Sequence, residues 1–313
     1  MNGASFDRTE TKHSRWRDLP EQLDALWGAC MQEQRGSDVA RALTANFVGV
    51  ARAEHAERLL AVTEQLQHRS PCRAFLLLLD DSQPHTMAAL TATTRRHGPL
   101  RDIVLEQIVL RLRTDDLARM PGLLRPLTLD DLPSHLLWAL PWPEDEARFD
   151  TLAGLAEHAI VDSQLFEEPS RELQIVKDRR DRGEQLSDLS WLRARPWRRA
   201  LAEAFERFEW RPNVAVRCTI EHGRRADAMA RLLGDWLHER LAAVTALEHG
   251  GDDELSGPAR VRLQVGDIEV VVEHADDALI THVTTPSRCF LPFTHRALRG
   301  SDAELLVLAM DKH

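Results

Sequence analysis

The sequence predicts an α/β protein in two parts. An N-terminal α/β sheet domain with covering helices is followed by a C-terminal α+β domain with an antiparallel sheet. Three observations carry this. The chain has 313 residues, 43% of them apolar, enough to build two cores. Between residues 44 and 163 short apolar runs alternate with amphipathic helical runs. One of these, "AFLLLL", is apolar without interruption, as strands covered on both faces are. Past residue 210 the runs alternate with period two around Val265-Gly266-Asp267-Ile268, the pattern of a hairpin.

The elements follow in order. Residues 1 to about 15 read as a disordered tail. Pro20 then opens a helix with Leu19, Leu23, Leu26, Trp27 and Cys30 on one face. These make residues 1–37 a tail and lead-in helix. In the first domain, 38–165, "TANFVGVA" (44–51) is a strand and 54–68 an amphipathic helix. Residues 70–80 are a turn and a buried strand, and two more strands lie near 86–94 and 103–113. Thr114 with Asp115 and Asp116 suits a helix start, weakened by Pro121 and Gly122. A strand within 132–143, a helix over 145–158 and a strand over 159–163 complete the domain.

The second domain, 166–313, begins with a charged helix of about 13 residues from Pro169. A polar stretch (178–188) leads to the helix "PWRRALAEAFERF", with Pro196 in its first turn. A strand (212–222), a long amphipathic helix (224–244) and a glycine-rich loop (248–258) follow. Two strands flank Gly266, and two more lie near 278–285 and 288–294. Residues 301–310 close the chain as a helix capped by Ser301 and Glu304.

Composition excludes several functions. A net charge of −10 opposes general nucleic-acid binding and an anionic membrane. Cys30, Cys72, Cys218 and Cys289 have no zinc or dithiol spacing and read as small apolar residues. No apolar run spans a membrane and the N-terminus lacks a signal-peptide core, so the expected location is cytoplasmic.

The search for chemistry finds no catalytic constellation. The turn after strand 44–51 is Arg52-Ala53-Glu54. It has no glycine to let backbone approach a pyrophosphate. P-loop, HExxH and GxSxG motifs are absent. The adjacent carboxylates, such as Asp115/Asp116 and Asp252/Asp253, do not face one way. His135 inside an apolar strand reads as an interior histidine. Asp162-Ser163, at the carboxyl end of a strand, is either a ligand position or a side-chain-capped turn. The expectation is a binding protein, not an enzyme, with no cofactor and no metal.

"DLSWLRARPWRR" (188–199) is the most unusual stretch, with two tryptophans among four arginines. Helical phase puts Trp197 with Leu201, Ala204, Phe205 and Phe208. The stretch is open to three readings: helix packing, a nucleic-acid surface that the charge disfavours, or docking of a protein or an anionic ligand.

This stretch resembles the run Asp-Leu-x-Trp-x-Arg-x-x-x-Trp-Arg of the OpcA-type glucose-6-phosphate dehydrogenase assembly proteins. "LTANFVGVA", "SPCRAFLLL", "LTLDDLPSHLLWAL", "AIVDS" and "LLGDWLHERL" are similar to that family's other elements, in its order, over roughly residues 38 to 310. The resemblance implies a non-catalytic partner of glucose-6-phosphate dehydrogenase that promotes its active oligomer as an allosteric effector. The NADP and sugar phosphate would belong to the partner enzyme. The candidate partner-binding residues are Trp191, Arg193, Trp197 and Arg198, with Arg73, Asp162 and Ser163 behind them. The alternative is a sugar-phosphate receptor or cryptic enzyme that clamps its ligand with Arg193, Arg195, Arg198 and Arg199.

Overall fold

The computed structural model describes residues 8–14, 25, 38–40, 43–82, 87–97, 101–210, 214–296 and 301–311. The predicted lead-in helix lies outside the described residues, Ala25 apart. The chain divides into two compact units. One is 1–161 with 184–186 and 302–313; the other is 162–183 with 187–301.

The first unit is built on one sheet. Its strands are β1 (Arg8–Ser14), β2 (Asp38–Ala40), β3 (Ala45–Arg52), β4 (Cys72–Leu79), β5 (Met87–His97), β6 (Arg101–Leu112), β7 (Ser134–Ala139) and β8 (His158–Val161). They are ordered β1-β5-β6-β4-β3-β7-β8, with β2 on β6 and a short strand β9 (Leu186–Asp188) finishing the edge. Neighbours from β6 across to β8 are parallel, whereas β5 and β1 join antiparallel. Residues 8–14, expected in the disordered tail, thus pair with β5. The chain runs outward from β3 through β4 to β6, then returns to the other side of β3. This reversal is the switch point of a doubly wound sheet. Residues 45–51 and 72–78 are all buried, as their unbroken apolar runs required.

Helix α1 (Ala56–Arg69) packs on this sheet through Leu59, Thr63 and Leu66. It comes so close to β3 that a Cβ at Gly49 would sit 3.1 Å from Leu59 Cδ1, which explains the glycine. The helix expected after Thr114 is a 3-10 turn (Thr114–Arg119) running into α2 (Met120–Leu124). Pro121 stands in the first turn of α2, where its missing N–H costs nothing. The helix expected over 145–158 is the shorter α3 (Ala147–Ala153).

In the second unit, α4 (Pro169–Asp181), α5 (Leu189–Arg193) and α6 (Arg195–Phe205) precede the strand β10 (Val216–His222). Then come α7 (Asp227–Leu241), β11 (Val244–His249), β12 (Arg260–Val265), β13 (Ile268–Ala275), β14 (Ala278–Thr285), β15 (Arg288–Cys289) and β16 (Phe293–Arg296). The sheet order is β11-β10-β12-β13-β14-β15, with β16 also on β14. All pairs are antiparallel except β10 with β11. Gly266, at φ +59°, makes the predicted hairpin turn. Trp197, Leu201 and Ala204 of α6 and Met229, Leu233 and Leu237 of α7 share one core with Cys218, Ile220, Leu263 and Val272. The last helix, α8 (Asp302–Met310), belongs to the first unit instead of the second domain. Arg58 and Arg69 of α1 hold Asp302 and Glu304 at 2.7 and 2.6 Å.

Candidate functional site

Asp162 and Ser163, at the end of "AIVDS", meet "DLSWLRAR" in the second unit. Asp188 caps α5 and is 4% exposed. One of its oxygens accepts from Ser190 N and Ser163 Oγ at 2.9 Å each, and from Ser163 N at 3.3 Å. Its other oxygen has no partner. Arg193, at the end of α5, donates to both oxygens of Asp162 at 2.6 and 3.1 Å. Both partners of that fork are largely withdrawn from solvent. Asp162 also caps the short turn Ser163–Leu165 by accepting from Gln164 N. The residues that mark the family resemblance therefore bind one another. They form a clasp between the 162–165 turn and α5.

Burial, with some help from the neighbouring Asp162 charge, pushes the Asp188 carboxyl up to about 6 against its hydrogen bonds. A buried carboxyl is disfavoured in its charged form.

The clasp places Trp191 at one wall of an open groove of about 870 Å³. The groove runs between α4 and α7 and ends on β11. Leu173, Leu232, Trp236 and Leu247 give it half-exposed apolar walls, and Val244 at its rim is 73% exposed. Lys177, Arg180 and Arg231 alternate with Asp181, Asp235 and Glu239 around it, and Lys177 and Glu239 approach to 3.9 Å. β11 is the edge strand of its sheet. An apolar floor with tryptophans and a mixed-charge rim has the composition of a protein-docking surface.

The remaining predicted residues fall in different places. Trp197 is buried in the core. Arg198 lies over the Trp191 ring, its guanidinium carbon 3.5 Å from the ring centre. It donates to the Trp191 carbonyl at 3.1 Å. Ser163 is fully buried in the clasp. Arg73 is in the first unit, buried, paired with Glu106 at 2.5 Å and donating to the Leu127 carbonyl. His135 is interior, edge-on to His158. Cys72 and Cys218 are buried, and desolvation raises both thiols to about 12, where they are inert. Among the described residues no group of three or more His, Cys, Asp or Glu could hold a metal. No helix among them is long and apolar enough to cross a membrane.

Sequence reasoning placed Leu232 and Trp236 on the apolar stripe of a helix but not in a groove, and it did not single out Val244. One signal was available. The apolar stripe of the 224–244 helix, with Met229, Leu232, Leu233, Trp236, Leu237 and Leu241, is too wide for one buried face. Met229, Leu233 and Leu237 take the core and Leu232, Trp236 and Leu241 stay half-exposed.

The model of the glucose-6-phosphate dehydrogenase subunit N-terminal domain matches residues 63–178, and that of the C-terminal domain of the same subunit matches residues 184–310. An OxPP cycle protein OpcA from a Synechocystis strain is 28% identical over 58% of this chain and 39% of its own length. That of Nostoc punctiforme is 26% identical over 62% and 43%. The chain thus spans about two fifths of the length of the curated relatives it matches. Among solved structures, the 3-ketoreductase KijD10 from Actinomadura kijaniata is similar at 11% identity. The match covers 86% of this chain and 89% of that one, with a TM-score of 0.48. That likeness is too distant to bear on activity.

Proposed function

Because this chain belongs to the glucose-6-phosphate dehydrogenase subunit family, we propose that it works by binding that enzyme. In this reading it is a non-catalytic assembly factor and allosteric effector. It acts in the cytoplasm, in the oxidative pentose phosphate cycle for which its relatives are named. The observation that carries the reading is the open groove of the second unit. Its two half-exposed tryptophans, Trp191 and Trp236, stand beside an edge strand with Val244 exposed. An edge strand offers unpaired backbone groups to an incoming segment, and adjacent apolar walls receive its side chains.

The first unit supports binding over catalysis. Its sheet has a switch point at β3 and β7, where a doubly wound enzyme cradles its cofactor. The turn there carries Arg52, Ala53 and Glu54, with Glu57 in the first turn of α1. It lacks glycines, and carboxylates at a helix start repel a pyrophosphate.

Within this reading Arg193, Asp162 and Ser163 position the docking surface, and Trp191 and Arg198 present it. An effector that favours the active oligomer shifts it by the difference in its affinities for the two states, about 1–3 kcal/mol in typical cases. That corresponds to roughly a 5- to 150-fold change in equilibrium. The test is to mix the chain with the dehydrogenase of its own organism and follow NADPH production and co-elution. A raised rate with a shared elution peak is expected. An unchanged rate with separate peaks overturns the reading.

A further inference from the structure

The clasp removes Arg193 from the arginine group of the 188–199 stretch, because Asp162 neutralises it. Arg195, Arg198 and Arg199 remain. None of them pairs with a carboxylate among the described residues. The first turn of α6 holds no acidic residue either.

Arg198 is fixed in place by its stacking on Trp191 and its bond to the Trp191 carbonyl. Its Nε is closed off from solvent and has no partner. Arg195 stands one turn earlier on the same face of the helix. Partial desolvation, and then the Arg195 charge, lower the Arg198 pKa, so the two cations are close enough to repel. A pre-set guanidinium beside a second one, with no carboxylate paired to either among the described residues, is a charge arrangement suited to an anion. A guanidinium fork matches phosphate oxygens in geometry. Two cations match the charge of a phosphate monoester, about −2 near neutral pH, better than that of a lone carboxylate.

We infer that Arg195 and Arg198, braced on Trp191, form a binding site for a phosphate-monoester dianion. The ligand class is a small phosphorylated molecule. The site does not depend on the partner reading above, since it is complete within this chain.

Thermal unfolding of the full chain tests it, at constant ionic strength, in chloride, acetate, inorganic phosphate and glycerol 1-phosphate. Phosphate strengthens burial generally by exclusion from protein surface, so the readout is the difference between wild type and Arg195→Gln. Arg195 is exposed, and its loss spares the fold. In chloride Arg195→Gln is expected to melt slightly higher than wild type, because a repulsion is gone. Both phosphates are expected to raise the wild-type melting temperature saturably at millimolar concentration, with at least half of that rise lost in Arg195→Gln. An equal rise in both proteins overturns the inference. So does an equal rise with acetate, which would make the site one for any carboxylate. Co-elution with the dehydrogenase is scored separately, so failure of one does not count against the other.

Discussion

Asp188 shows most clearly what single residues do here. Its folded pKa, about 6, stands above the ordinary 3.8, so the folded chain holds that proton more tightly than the unfolded chain. The stabilisation is therefore full below about pH 4 and is lost as pH rises through 6. A rise from 3.8 to about 6 corresponds to about 3 kcal/mol. Asp188→Asn keeps an oxygen for Ser163 and Ser190 but cannot titrate. Urea unfolding is expected to show the variant gaining on wild type between pH 4 and 7, by up to about 3 kcal/mol. A constant difference across that range would remove the buried carboxyl from the account. The Asp162–Arg193 fork makes a second prediction. Arg193→Met leaves a buried carboxylate behind, and the urea midpoint should fall by the equivalent of about 3–5 kcal/mol. Arg193→Met with Asp162→Asn should recover much of that. The sequence shows that Asp162, Asp188 and Arg193 are unusual, but not that they join. Asp162 and Arg193 are 31 positions apart, and only the fold brings such distant charges together.

The elements were readable where one rule decided them. β4 is a continuous apolar run, α4 starts on Pro169, and the β12–β13 hairpin turns on Gly266. β11 was hidden because its residues continue the apolar pattern of α7. The structure shows why the helix stops. Ala242 adopts φ 50° and ψ 33°, and its N–H closes on the His238 carbonyl. Gly234 lets α7 close on β11, for a Cβ there would meet Thr245 Cγ2 at 3.1 Å. A left-handed conformation costs a residue with a Cβ about 1–2 kcal/mol. Glycine relieves that but gives up more chain entropy. Ala242→Gly is expected to stabilise the chain by about 0.5–1 kcal/mol in urea or thermal unfolding. Destabilisation would mean that α7 is not stopped by this turn.

At the scale of the whole molecule, the alternation of buried strands and amphipathic helices announces an α/β first unit with covering helices. Period-two strands announce an antiparallel second one. The placement of α8 on α1 was not readable, since its two arginine–carboxylate pairs bridge 244 and 235 positions. The groove was not readable either. It is assembled from α4, α7, β11 and Trp191, and the sequence marks Trp191 and the "LLGDWLHERL" run of α7 without showing that they share a groove. The account therefore rests on a surface, and the surface can be damaged without harming the core. Val244 is 73% exposed at its rim, where substitutions ordinarily change stability by less than about 0.5 kcal/mol. The most direct measurement is a titration of wild type and Val244→Glu into glucose-6-phosphate dehydrogenase, followed by size-exclusion chromatography and NADPH production. The account predicts that wild type co-elutes and raises the rate. Val244→Glu, with its melting temperature unchanged, should bind at least about tenfold more weakly, a loss near 1.4 kcal/mol, and lose the activation. A complex that Val244→Glu forms as tightly as wild type would contradict it.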